Sequence, residues 1–382
     1  MQVALEREHA REQLAALSPG GSPRRAIAVA SAAVIEGRAG AMACPQCGGL
    51  YRIHDQARWS LFDCLELAAT LALLTYTYSI GRLFAPSLAL GLLLFATRER
   101  IASIFKTWIA YGVMLLPLLV FMQRNPGALT SRFELVSYIK PESTLSDIAI
   151  EFITHYLSNL SLIKLLLTGD PNMRHHIWGM GSMFVATVVL VVIGLGRALP
   201  HRWRDPWWRF VLYGLAVSVV PASLTNDDFH SLRLIPVPIF LLLLTVPALV
   251  WLSEDGAHHS ARRVTLFVLL GLTLLQAGIF QRQFHQDGPL RGNAFEEVYP
   301  QVFAAVMDAR MRPIYLKDRG ELPGYIHAYW YGALHEIDAS QFIRLPAGEQ
   351  PPAGALVVGT DEKCTNCQVI LRLQDYIVYR TF

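Results

Sequence analysis

Charge is what this sequence has least of. Only 16% of its 382 residues are Asp, Glu, Lys or Arg, against 53% hydrophobic residues, where a soluble domain carries roughly a quarter charged residues. That scarcity, with a positive mean hydropathy of +0.34, excludes an ordinary soluble chain and predicts a polytopic α-helical membrane protein. Net charge is only +3 with a pI near 8.6, too small an excess for a nucleic-acid partner. Cysteine is scarce as well: two Cys-x-x-Cys pairs and Cys64 make five, which excludes a disulfide scaffold in a chain of this length. No internal repeat is visible, and the opening residues lack the apolar core that follows the basic start of a signal peptide.

What is present begins with a stretch unlike the rest. Residues 1–58 run from a charged helical segment (Leu5 to Leu17) through Ser-Pro-Gly-Gly-Ser-Pro-Arg-Arg to Cys44-Pro-Gln-Cys47-Gly-Gly. The last string looks like half of a zinc ribbon, in which a tight turn lets two thiolates reach one tetrahedral ion. A second knuckle is needed, and only Cys64, preceded by His54, stands nearby. Residues 1–58 are therefore expected to form a largely flexible cytoplasmic tail, with zinc on Cys44 and Cys47 as the sharper alternative.

Seven apolar segments follow, at 59–78, 83–97, 107–122, 178–196, 207–221, 234–252 and 264–280. Each is read as a membrane helix, several of them short for a span of ~20 residues. The first is the least regular because it carries Asp63 and Glu66. Basic residues cluster in alternate connections (Arg98, Arg100, Lys106; Arg197, Arg202, Arg204; Arg262, Arg263), which places those connections in the cytoplasm. The membrane domain is then 59–280, with an external loop at 123–177, a second at 222–233 and an external domain at 281–382. Within 123–177, Asn125 to Phe133 predicts a turn and then a helix start or a strand, and Ile148 to Leu167 predicts a helix on the interface. The 281–382 segment predicts a small α/β domain, with β-prone runs at 313–317, 355–359, 369–372 and 376–379 and a helix over Val298 to Met311. Cys364 and Cys367 could close a small disulfide or stay open. Tyr325, Tyr329, Trp330 and Tyr331 could stack on a sugar or pack against lipid headgroups.

The external loops hold the candidate chemistry. Pro221 to Arg233 places Asp227, Asp228, His230 and Arg233 between two apolar segments, where each charge taken to a helix centre would cost roughly 2.5–3.5 kcal/mol. One reading is a solvated turn whose Asn226, Asp227 and Asp228 cap the next helix. The other has His230 and Arg233, three residues apart on one face, holding an anionic headgroup. Gly169 to Gly181 supplies Arg174 and His175 just before another apolar segment, next to an Asp170-Pro171-Asn172 turn and an interfacial Trp178. A phosphate at the membrane surface is the partner that two such loops share.

Four strings, Tyr76-Thr-Tyr-Ser-Ile-Gly-Arg-Leu-Phe-Ala-Pro86, Asn125 to Phe133, Gly169 to His175 and Thr225 to Arg233, occur in an order and spacing that resemble bacterial membrane glycosyltransferases of the GT-C class. The branch resembled is that of the protein mannosyltransferases and lipid A aminoarabinose transferases, over residues 68–280. The resemblance implies a GT-C-like membrane fold and transfer of a sugar from a polyprenyl-phosphate donor on the outer face of the bacterial inner membrane. It assigns the donor phosphate to His230 and Arg233, and also to Arg132, Arg174 and His175. The family's catalytic carboxylate sits in a first external loop that this chain does not contain, which leaves Asp227 and Asp228 as the carboxylates at hand. The expectation is a C-terminal portion of such an enzyme, partnered by a lipid-linked sugar donor, the membrane and a separate polypeptide bearing the missing N-terminal helices. A non-catalytic membrane protein, accessory or transporter-like, or an inactive gene fragment, is the alternative.

Overall fold

The computed structural model describes residues 56–255, 258–317, 324–346, 348–360 and 366–382. Cys44 and Cys47 lie outside the described residues, and so does Cys364. The chain divides into two compact units, Met1–Arg282 and Gln283–Phe382.

Each predicted apolar segment of the first unit contains a helix, although the one expected at 178–196 is irregular over 178–184 and turns helical only at Val185. Helix α1 (Leu61–Thr77) begins at a capping box: the Ser60 hydroxyl accepts from the Asp63 amide, and the Asp63 carboxylate accepts from the Ser60 amide at 2.9 Å. The acid that made this segment irregular is therefore a helix-start residue that satisfies otherwise orphaned N–H groups. Helix α2 (Gly81–Gly91) continues as a 3₁₀ turn to Phe95, and α3 (Ile101–Met114) runs through Leu115 into α4 (Leu116–Arg124). After the 125–184 region come α7 (Val185–Arg202), α8 (Pro206–Ser223), α9 (Val237–Ser253) and α10 (His259–Asp287).

Two of these are long and apolar enough to cross a membrane, namely Ile101–Arg124 and His259–Asp287; Gly81–Phe95, Val185–Pro200 and Val237–Ser253 are apolar but shorter. Seven full-length spans are thus more than the helix lengths support. Large apolar side chains nevertheless face outward at helical spacing, as at Phe105, Ile109, Val113 and Leu116 on α3 and α4.

The helices meet closely where the sequence is small. A Cβ added to Gly194 on α7 would stand 1.8 Å from the Leu244 carbonyl oxygen of α9, a backbone atom that has no rotamer to escape into. Between α1 and α3, the hydroxyls of Thr75 and Tyr111 share a hydrogen bond of 2.7 Å in a buried setting, so neither polar group is left unsatisfied there.

The 125–184 region is more ordered than a connector. The turn at 126–130 leads into a helix, α5 (Ser131–Val136), rather than a strand. Helix α6 (Leu145–Asn159) starts at a second capping box, Thr144 with Asp147. A π-helical turn (Lys164–Thr168) then ends at Gly169, whose φ of 65° lies in the left-handed region. A side chain there would be strained, and its Cβ would also come within 2.3 Å of the His176 ring.

The second unit is a mixed five-stranded sheet in the order β2-β1-β3-β5-β4, built from β1 (Ile314–Lys317), β2 (Phe342–Arg344), β3 (Leu356–Thr360), β4 (Cys367–Leu373) and β5 (Tyr376–Thr381). β1 pairs in parallel with β2 and β3, while β5 runs antiparallel to β3 and β4. β3 is buried along its whole length, as a continuous apolar run in a covered strand should be. Helices α11 (Tyr299–Asp308) and α12 (Gly324–Leu334) join this sheet. Four strands and α11 match the expectation, while β2 and α12 were not anticipated.

The α12 aromatics mostly serve the unit itself. Tyr329 meets Phe342 edge-on at 6.0 Å, Tyr331 stacks on Tyr299 at 5.8 Å, and the Arg344 guanidinium lies 3.6 Å over Tyr325. These three half-buried tyrosines pack within the unit, while Trp330 of the same group, 62% exposed, faces outward. Cys367 is disulfide-bonded.

Candidate functional site

The two loops singled out in the sequence fold against each other. The loop at 224–236 is fixed on three sides. The Asn226 amide donates to the Val136 carbonyl at 2.8 Å, the Ser137 hydroxyl donates to the Leu224 carbonyl at 2.8 Å, and the Tyr138 hydroxyl donates to the Ser223 carbonyl at 2.9 Å. On a second side, Asp228 accepts from Lys164 Nζ at 2.6 Å and from the Ser158 hydroxyl. On the third, the Ser231 amide donates to Asp170 Oδ2 at 2.7 Å.

Phe229 anchors all of this. It is 1% exposed, packs with Leu165, Val219, Ala222, Leu234 and Val237, and has a φ of 79°. Such a φ is a genuine outlier for a bulky residue and persists only where the surroundings impose it. A solvated connector needs neither the buried anchor nor the strain.

Asp227 and Asp228 do not cap α9. That helix begins at Val237 after Pro236 as the N-cap residue, with no side-chain cap bond. Asp227 instead forms an ion pair with Arg233, whose guanidinium also donates to Thr225 Oγ1 at 2.7 Å. The bonds from Lys164 and then Ser158 hold the Asp228 carboxyl below its usual range. An ion-paired carboxylate held ionised in this way is a poor proton acceptor near neutral pH.

His230 and Arg233 flank the same turn, the Arg233 amide donating to the His230 carbonyl at 2.9 Å. Burial, then the Arg233 charge, push the His230 imidazole below its usual pKa, against the pull of Asp170 and Asp227. Across the loop junction, the His175 and His230 rings stand 4.8 Å apart. Asp170 lies beneath them with a side chain 2% exposed, its Oδ2 3.3 Å from His175 Nδ1 and 4.0 Å from His230 Nδ1. Its Oδ1 accepts from the Asn172 amide at 2.8 Å, the turn that the Asp-Pro-Asn string predicts. Arg174 follows that turn, its amide bonded to Asn172 Oδ1 at 3.0 Å. Arg132 belongs to α5, and its side chain is outside the described residues.

The structure thus brings together His175, His230, Arg233, Asp227 and Asp228 from the sequence-predicted set. Sequence reasoning missed Asp170, taken only as a turn former, and Lys164. The signal for Lys164 was available: a lone lysine within Ser161-Leu-Ile-Lys-Leu-Leu-Leu167 cannot be left without a partner in apolar surroundings. Compared with known proteins, the chain matches no family model, no curated protein and no solved structure.

Proposed function

We propose that the protein is a multi-pass membrane protein of the bacterial inner membrane that holds the phosphate of a polyprenyl-linked sugar donor at its outer face, as a glycosyltransferase of the GT-C class or its carrier-binding half. In this reading the shorter apolar helices span the membrane together with the two long ones, the N-terminus is cytoplasmic and the 283–382 unit is external. The outward apolar stripe on α3 and α4 supports an apolar surrounding, since soluble monomers rarely expose such patches.

The observation that carries the reading is the docking of two loops about 60 residues apart in sequence, sealed by the bond from Ser231 to Asp170. It sets the imidazoles of His175 and His230 side by side, with Arg233 one turn from His230 and Lys164 paired to Asp228 of the same loop. Charge-assisted bonds of that kind are how phosphate is held. The pairing of Arg233 with Asp227 favours a second reading, a non-catalytic membrane protein in which these ion pairs only brace the loop.

The two separate on one comparison. If Arg233 binds phosphate, Arg233→Ala removes a charge-assisted contact of roughly 1.5–3 kcal/mol, a ten- to hundredfold loss in affinity for a polyprenyl-phosphate analogue. Asp227→Asn releases the guanidinium from its competitor and tightens binding. A bracing role predicts a loss of thermal stability in both variants and no effect on analogue binding in either.

A further inference from the structure

We infer that Asp170, His175 and His230 form a binding site for a divalent transition-metal ion of the zinc type. The site stands on its own geometry, whether or not a lipid carrier binds nearby, and is separate from the Cys44/Cys47 string.

One donor atom from each of the three residues lies within 4.8 Å of the other two. Two imidazoles and one carboxylate are a donor set suited to zinc and its first-row neighbours. In a tetrahedral zinc site with bonds of about 2.0–2.1 Å, neighbouring donors stand about 3.3–3.4 Å apart. The Asp170–His175 pair is already at 3.3 Å, and the Asp170–His230 pair, at 4.0 Å, needs to close by a fraction of an ångström. The His230 donor would also have to approach that of His175, since the three donor atoms span up to 4.8 Å.

Charge gives an independent argument. Asp170 is buried, and its other bonds come from neutral backbone amides of Asn172 and Ser231. Among the described residues, no lysine or arginine forms an ion pair with it, and beside the neutral Ser231 amide the groups facing its Oδ2 are the two histidines. A buried carboxylate without a compensating positive charge is costly. His230 Nδ1, for its part, is a buried nitrogen with no hydrogen-bond partner. A metal cation supplies both missing elements at once, the charge for Asp170 and an acceptor for the His230 lone pair. The backbone bonds to both Asp170 oxygens fix the carboxylate in place, the kind of outer support that ligating side chains usually have. Three protein donors leave a coordination position open to water or an anion.

The test uses the full chain in detergent with Cys44→Ser and Cys47→Ser, which removes the other zinc candidate. After chelator treatment, zinc uptake is measured by equilibrium dialysis with atomic emission, and cobalt(II) uptake by visible absorption. The parent should take up zinc at a single tight site and gain thermal stability from it. His175→Gln and His230→Gln keep a polar amide of similar reach but remove the imidazole. Each should weaken zinc by more than about a hundredfold, beyond the ten- to hundredfold loss of an outer-sphere partner alone, and should abolish the zinc-dependent rise in melting temperature. No stoichiometric uptake by the parent, or undiminished uptake and stabilisation in both Gln variants, would overturn the assignment.

Discussion

Phe229 offers the most direct test of why the 224–236 loop holds its shape. Its ring is 1% exposed, so Phe229→Ala should cost about 3–5 kcal/mol through lost burial and the cavity left behind. The backbone adds a second effect. At a φ of 79° an alanine keeps a left-handed penalty of about 1–2 kcal/mol that glycine does not carry. Glycine normally loses to alanine by about 0.5–1 kcal/mol through the greater freedom of its unfolded chain. The two terms nearly cancel or favour glycine, so Phe229→Gly should be at least as stable as Phe229→Ala, the reverse of the usual rank. Apparent melting of the detergent-solubilised variants measures the difference side by side, at roughly 2 °C per kcal/mol for a chain of this size. Phe229→Ala melting clearly above Phe229→Gly would refute the claim that the loop is held in a left-handed turn.

Other consequences follow from neighbouring contacts. Gly194→Ala should separate α7 from α9 at a cost of about 1–3 kcal/mol or more, read as a lowered melting temperature, whereas Gly196→Ala, with nothing within 4 Å of the added Cβ, should be neutral or stabilising. Because the folded Asp228 carboxyl sits below its ordinary value of 3.8, the stabilisation from its Lys164 pair is complete above that pH and is lost as pH falls through the lowered folded value. Asp228→Asn should therefore flatten the acid limb of a stability–pH profile, and an unchanged limb would show that the pair contributes nothing. Arg233→Lys should keep the Asp227 pairing but lose the second bond to Thr225, giving an analogue affinity between those of wild type and Arg233→Ala in the same binding assay.

Much of the fold was legible because apolar runs bounded by charge mark helices whatever their surroundings, and a helix lies within each of the seven runs, that of 178–196 starting only at Val185. Their lengths were less legible, since an apolar run does not say where its last helical turn ends. β2 was missed because Phe342-Ile-Arg344 is only three residues long, and α12 because its glycine and aromatic content has no clear helical period. At the site, His230, Arg233 and His175 stood out as charges beside apolar segments. Asp170 did not, since its turn-forming role is local and complete in itself, while its contacts with His230 and Ser231 arise only when the two loops meet. The same holds for Asp227 and Asp228, whose partners are set by tertiary folding and not by position at a helix start.

The proposed function requires the 169–184 and 224–236 loops to form one anion-holding site. A double-mutant cycle on polyprenyl-phosphate analogue binding, with His175→Ala, His230→Ala and the pair, tests it most directly, with melting temperatures followed to keep unfolded protein out of the comparison. Residues in contact through a shared site should couple by at least about 0.5 kcal/mol, so the double variant's loss in affinity should differ from the sum of the single losses by more than about twofold. Strictly additive losses, or no analogue binding by the wild-type chain, would contradict the account.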